Sequence, residues 1–318
     1  MTAPLAAVTG ATGFLGRHVV AALAAAGWRT RLLVRQDPVH PLFRDLVPEI
    51  VPGDLGDGRA LARLVRGADA VVHLAGLIKA VDRAAFMAVN EGGSARLARA
   101  VAAEAPSARL VVVSSLAARE PGLSDYAASK RAGEEAAVRE CGPAPWVVAR
   151  PSAVYGPWDR ETLAVFRAAC GPVVPVLGGR EARLGLIHAA DAARAVAALC
   201  RPDAPAGKVF ELSDARTDGY GWDEVIDAAV AAVGARPPLR VRVPGPILRA
   251  AGAASGLLAR ARRKPAMLTS GKVREALHRD WSCPADRQPP QALWRPEIGL
   301  AEGFAATASW YRAQGWLP

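Results

Sequence analysis

The chain has 318 residues, 51% hydrophobic and 22% charged, a balance that excludes a disordered chain and suits one large or two small domains. Its formal net charge of +10 calls for an acidic partner: nucleic acid, a membrane surface or an anionic small molecule. That excess is local, because no acidic residue lies between Asp227 and Glu275 while that stretch carries ten basic ones, and the other 271 residues sum to zero.

The four cysteines form no CxxC pair, and the five histidines are scattered, so no metal site is expected. No apolar run reaches the roughly 18 residues of a membrane span. The opening MTAPLAAVTG lacks the charged start and apolar centre of a signal peptide. The expected location is the cytoplasm, with peripheral contact at the inner face of a membrane left open.

Strand and helix signals then alternate. A short apolar run over 5–9 ends in a glycine-rich turn, and a helix over 14–26 is closed by Gly27. Strands follow over 30–34 and, more weakly, 49–53. The runs at 69–74 (DAVVHL) and 109–114 (RLVVVS) are short and β-branched, as buried parallel strands are. Helices fall between them at 57–66, 82–104 and 124–140, and a sixth strand covers 146–149. This alternation predicts an α/β fold, a Rossmann-type doubly wound parallel sheet. Past Pro151, proline and glycine break the pattern. A smaller substrate lobe is expected over 151–318, with the segment around a helix at 189–199 (186–200) returning to the first domain.

Thr9-Gly10-Ala11-Thr12-Gly13-Phe14-Leu15-Gly16 joins the first strand to the first helix. Gly10 permits the tight turn, Gly13 lets backbone approach a pyrophosphate, and Gly16 lets helix and strand pack closely. Free N–H groups at the helix start favour the phosphate. Arg35 closes the second strand, where NAD binders usually carry an acid for the ribose 2′-hydroxyl. An arginine there pairs with a 2′-phosphate, so NADPH is expected over NADH; a solvated surface arginine is the plain alternative. Asp54, after the third strand, either accepts from an adenine amino group or caps the next helix.

Tyr126-Ala127-Ala128-Ser129-Lys130 sets a tyrosine and a lysine on one helix face. Free tyrosine, with a pKa of about 10, is a poor acid–base group at neutral pH. A neighbouring ammonium is expected to pull that value down. The chain has five lysines against thirty-five arginines, yet a lysine stands here. Ser114 and Ser115 end the fifth strand, where a hydroxyl points into the ligand crevice or caps a turn.

With these pieces the sequence resembles the short-chain dehydrogenase/reductases in their extended, epimerase/dehydratase-like form. The resemblance rests on TGATGFLG (9–16), DAVVHLAG (69–76), VNEGGSARL (89–97), VVVSSLA (111–117), YAASK (126–130), RPSAVYGP (150–157), LIHAADAARAV (186–196) and the terminal 299–317, and so spans nearly the whole chain. It implies that Tyr126 gives a proton to a carbonyl oxygen during hydride transfer and that Lys130 lowers its pKa and holds the nicotinamide ribose. By the same resemblance Ser115 bonds the carbonyl, with Ser114 as the alternative, and Asn90 completes a proton relay. It adds Thr12, Phe14, Leu15, Leu55, Ala75, Gly76, Pro151 and Val154 to the cofactor site, with Tyr126 and Lys130. His73, His188 and Asp191 are read as architectural, and Tyr155 and Trp158 as lining the substrate entrance.

The family hosts ketone reductases, nucleotide-sugar epimerases and dehydratases, and non-catalytic cofactor-holding subunits of membrane complexes. A short gap from serine to tyrosine and Arg35 favour net reduction by NADPH. Within the basic segment, 228–274, residues 246–264 have helical period. Ile247, Ala251, Ala254, Leu257, Leu258 and Ala261 share one side, and Arg249, Arg260 and Arg263 the other. Such a helix lies on an anionic bilayer or packs on its own lobe. It has no aromatic residue to stack on bases, which argues against nucleic acid. A lipid ketone would suit a membrane-facing basic segment. KVREALHRDW (272–281) and the overall proportions are similar to the bacterial ceramide reductases, which implies a substrate such as a 3-oxo-ceramide. Oligomeric state is left open.

Overall fold

The computed structural model describes residues 3–36, 40–43, 45–261 and 268–318. The first half runs β1 (Leu5–Thr9), α1 (Phe14–Ala25), β2 (Arg29–Val34), β3 (Glu49–Pro52), α2 (Gly58–Val65), β4 (Ala70–His73), α3 (Arg83–Glu104), β5 (Arg109–Val113), α4 (Asp125–Glu140) and β6 (Trp146–Pro151). The second runs β7 (Ala153–Tyr155), α5 (Leu163–Ala169), β8 (Val173–Val176), β9 (Arg183–Leu184), β10 (Leu186–His188), α6 (Ala189–Leu199), β11 (Lys208–Leu212), α7 (Trp222–Val233), β12 (Leu239–Arg242), α8 (Gly245–Ala261), α9 (Ser270–Leu277), β13 (Asp280–Trp281) and α10 (Leu300–Ala313).

Seven strands form one parallel sheet in the order β11-β6-β5-β4-β1-β2-β3. Alternation along each strand supplies both faces with apolar side chains. Ala6, Val8, Val111 and Val113 face α1 and α6 through Val19, Leu23, Val196 and Leu199. Ala7, Leu110 and Val112 face α2, α3 and α4 through Leu64, Leu97, Val101 and Ala137. Burial on both sides is why these strands read as unbroken apolar runs. A third core lies in the C-terminal part, where Tyr155, Phe166, Ile226, Phe304 and Tyr311 pack together.

The sheet has one strand more than the sequence reading found. β11 escaped it because Lys208 and Glu211 interrupt its apolar character. Glu211 is only 3% exposed and is held by Arg119 and Arg287. β6 also runs to Pro151, two residues past the predicted end.

The basic segment is partly neutralised within the chain. Arg240 pairs with Asp223 and Asp227, and Arg242 with Asp223, both acids lying outside the acid-free stretch on α7. The helix predicted at 246–264 exists as α8. Arg262, Arg263 and Lys264 fall outside the described residues, as do the side chains of Leu258, Arg260 and Ala261. Against the reading in which α8 packs its apolar side on the lobe, the described residues of that side are exposed: Ile247 is 59% and Leu257 66% exposed, and Ala251 and Ala254 are exposed beside them. α8 is held instead through Gly252, its one buried residue among those described, where an added Cβ would come within 2.8 Å of Val273. A glycine at the contact brings backbone close but leaves little side-chain area to bury.

Candidate active site

Strand order reverses direction between β1 and β4, the switch point at which open α/β sheets bind ligands. The tip of β1 turns through Gly10 at φ +74°, packed so closely on the end of β4 that a Cβ would meet Ala75 N at 2.5 Å. At Gly16 a Cβ would lie 2.0 Å from Gly10 O, so the helix can start only against glycine. Thr12 and Gly13 are exposed, Phe14 and Leu15 half-buried. Gly13 is the N-cap of α1 and offers no side-chain acceptor, which leaves the first helical N–H groups facing outward. A pyrophosphate supplies the acceptor that this turn lacks, so the residues fit a dinucleotide.

Arg35 is exposed at the end of β2, beside this turn. Asp54 neither caps a helix nor stands free. Its Oδ1 accepts from Gly56 N at 2.7 Å, and the cap of α2 is Asp57, which accepts from Arg59 and Ala60. Leu55 packs against Gly93 of α3. Ala75 donates its N–H to Thr9 Oγ1, and Gly76 lies against Asn90, where a Cβ would be 3.9 Å from Lys130 Nζ. Pro151 ends β6, and Val154 is half-buried on β7. These residues thus collect at the carboxyl edge of the sheet.

α4 starts at a Ser124 cap, whose hydroxyl accepts from Ala127 N at 2.9 Å, and carries Tyr126 and Lys130 one turn apart on the edge facing β5. Lys130 donates to Val113 O at 3.0 Å. Burial lowers its pKa to about 8, with Glu134 opposing the fall. Tyr126 departs from expectation. Burial raises its pKa to about 12; a hydrogen bond with Ser115 pulls it down and the Glu275 carboxylate pushes it up. Desolvation outweighs any help from Lys130, one of whose donors goes to the strand carbonyl. The phenol is therefore held protonated, the form that can give a proton away.

Of the two serines, Ser115 is the tyrosine's partner; its Oγ also accepts from Ala117 N. Ser114 Oγ is buried without a hydrogen-bond partner. Asn90 is saturated by local bonds: Oδ1 accepts from Leu77 N, and Nδ2 donates to Leu77 O and Ser129 Oγ. Its own carbonyl accepts from Ser94 Oγ at 2.6 Å. In this arrangement Asn90 pins the loop after β4 to α4.

In front of Tyr126 lies a cavity of about 460 Å³. One wall is the loop after β4 with Ile78 and Val81 and the start of α3 with Phe86; the other is α8 and α9, with Gly256, Leu257, Thr269, Lys272 and Glu275. Sequence reasoning gave the basic segment to the substrate lobe but did not pick out Lys272 and Glu275, whose spacing of three on a helix was the available signal. Among the described residues no three His, Cys, Asp or Glu side chains group as a metal site.

Residues 6–213 match the NAD dependent epimerase/dehydratase family. The chain belongs to that family. It is an NAD(P)-dependent oxidoreductase of the extended short-chain dehydrogenase/reductase type. A Caulobacter vibrioides protein named ceramide reductase is 51% identical over 98% of this chain and 96% of its own. Among solved structures, gox2253 superposes with a TM-score of 0.75 at 21% identity, covering 99% of both chains. MoeE5, solved with UDP-glucose and NAD, gives 0.72 at 21% identity, over 98% of this chain and 99% of that one. Identities this low speak for the epimerase/dehydratase fold alone.

Two residues expected at the substrate entrance of this family member lie elsewhere. Tyr155 is 0% exposed, stacked edge-on against Phe304 and His188 in the third core. Trp158 packs on His18, His40 and Trp310, beside the start of α1 rather than on the cavity wall. Their motif orders the junction between the lobes. His73 bridges Thr9 Oγ1 at 2.7 Å and Ser94 Oγ at 2.9 Å, and burial lowers its pKa to about 3, with the Lys130 charge adding to the fall. His188 caps α6, and Asp191 accepts from Glu297 N and Ile298 N.

Proposed function

We propose that this chain is an NADPH-dependent reductase that turns a ketone on a lipid, of the 3-oxo-ceramide type, into an alcohol. The observation that carries the reading is Tyr126, partnered by Ser115, lining a cavity with the exposed apolar side chains Ile78, Val81 and Leu257. The 51% identity to a protein named ceramide reductase supports the same substrate class.

A bound nicotinamide supplies the hydride. The rest falls to the chain. Ser115 and Tyr126 donate to the carbonyl oxygen, and as negative charge grows there the Tyr126 proton moves to it, giving the alcohol. A phenol with a raised pKa keeps that proton until the oxygen is basic enough to take it. Lys130 holds ribose hydroxyls, and its charge offsets the phenolate left behind. The turn at Gly10–Gly16 binds the pyrophosphate, and Arg35 the 2′-phosphate.

The apolar side of α8, exposed beside the cavity, is the surface we assign to an anionic bilayer, with the enzyme at the cytoplasmic face. Among the described residues no helix is long and apolar enough to cross a membrane.

The test is NADPH oxidation with an N-acylated 3-keto amino alcohol. Wild type oxidises NADPH and yields the alcohol; Tyr126→Phe loses at least about 10²-fold in kcat while still binding NADPH. Full activity in that variant would remove Tyr126 from the mechanism. Turnover of a nucleotide sugar without net cofactor use would reassign the chain to an epimerase.

A further inference from the structure

The short α9 helix is docked on the start of the catalytic helix. Gly271 lies so near Ser124 that a Cβ would come within 2.7 Å of its Cβ, and Arg274 Nε donates to Leu123 O at 2.7 Å. The Ser124 hydroxyl, which caps α4, donates to Glu275 Oε1, and Trp281 Nε1 donates to Glu275 O at 2.9 Å. These contacts account for how α9 is held. They leave two polar groups of the cavity wall unexplained. Glu275 Oε2 takes no part in the docking, and the Lys272 ammonium stands 3.3 Å from it and 5.3 Å from the centroid of the Tyr126 ring. An ammonium has three donors and the carboxylate oxygen engages one. Both residues line the cavity, with Glu275 13% and Lys272 43% exposed at the side chain.

An ion pair here has a cost. It is partly desolvated, and Glu275 adds to the rise of the Tyr126 pKa. A cavity for a plain alkyl ketone would be served better by apolar side chains at this point. Lys272 adjoins the proton donor, with its ammonium over the Tyr126 ring, and the exposed apolar Ile78, Val81 and Leu257 line the same cavity. The matching ligand is an amphiphile whose hydrogen-bonding group sits within a few bonds of the reacting carbonyl.

We propose that Lys272 and Glu275 determine substrate specificity by binding the polar group next to the ketone. Lys272 donates to an amide or hydroxyl oxygen, and Glu275 Oε2 accepts from the adjacent N–H or O–H. This rests on the ketone-reductase reading and adds to it the residues that choose among ketones.

The experiment compares an N-acylated 3-keto amino alcohol with an alkyl ketone of equal chain length that lacks the amide and hydroxyl. The readout is the ratio of kcat/KM for the two. Lys272→Met and Glu275→Gln each reduce that ratio by about 10- to 100-fold, mainly through KM, and Lys272→Arg restores part of it. Glu275→Gln keeps an oxygen for Ser124, so an unchanged Tm shows that α9 stays docked. An unchanged ratio in both variants overturns the proposal, since a purely structural pair would lower both substrates alike. If wild type reduces neither ketone, the reductase reading fails. Calorimetric binding of the N-acylated amino alcohol to wild type and Lys272→Met then decides the pair alone: equal affinities overturn it, and a 10- to 100-fold loss supports it.

Discussion

At the scale of single residues, spacing and burial carry different information. The Tyr126–Lys130 spacing was legible because four residues make one helical turn, and the glycine turn because only glycine fits it. The titration behaviour was not, because it depends on how deeply the rest of the chain buries the pair and on a carboxylate 149 positions away, Glu275. Arg35 was legible as a cation at the end of a strand. Arg35→Ala should weaken NADPH binding by about 10-fold or more, the loss of a charge-assisted contact, and leave NADH within about twofold, as read by calorimetry. Equal losses for both cofactors would detach Arg35 from the 2′-phosphate. His73 gives a stability test. Its folded pKa, about 3, lies below the ordinary 6.5, so the unfolded chain binds the proton more tightly. Stability is full above pH 6.5 and is lost as pH falls toward 3, at up to about 1.4 kcal/mol per pH unit. Urea unfolding of wild type between pH 7 and 4.5 should show that slope, and His73→Gln a shallower one. Identical slopes would remove His73 as the source.

Among elements, helices with an apolar stripe facing the sheet were read well, and α6 was bounded to the residue. α7 was passed over although Val225, Ile226, Ala229, Val230 and Val233 have helical spacing and Gly221 and Gly234 bracket it. Its acidic first turn suits a helix start, and that signal went unused. α8 shows the opposite difficulty. Its periodicity revealed a helix with an apolar side but not where that side points, because burial depends on a partner that may be another body altogether in any amphipathic helix. Here it points outward. Ile247→Asp with Leu257→Asp should reduce sedimentation with anionic vesicles by about 10-fold or more, and Tm should hold because neither side chain is buried. Retention of vesicle binding in the double variant would move the contact to another surface.

For the molecule as a whole, the net charge is best understood as paired and unpaired parts. Behind Tyr126 and Lys130, Arg150 of β6 forms a two-point pair with Glu134 of α4 at 2.9 and 2.5 Å, both under 10% exposed as residues. Glu211 of β11 lies opposite Arg150 in the ladder and is itself held by Arg119. Charges this deep hide the strand and helix patterns that alternation would otherwise reveal, which is why β11 was missed. Glu134→Ala leaves the Arg150 guanidinium buried and uncompensated and should cost about 3–5 kcal/mol in denaturant unfolding; a cost under about 1 kcal/mol would show that water reaches the site. β11 has a further consequence. The sheet's outer edge at β6 stays open until the chain has passed through β7, α5, β8, β9, β10 and α6, and Trp294, far downstream, completes the core beneath α1. During synthesis the first half therefore emerges with a bare hydrogen-bonding edge and an uncapped hydrophobic face. A fragment ending at residue 150 should be an aggregating stub, because the second half of the chain is what lets the first half finish folding.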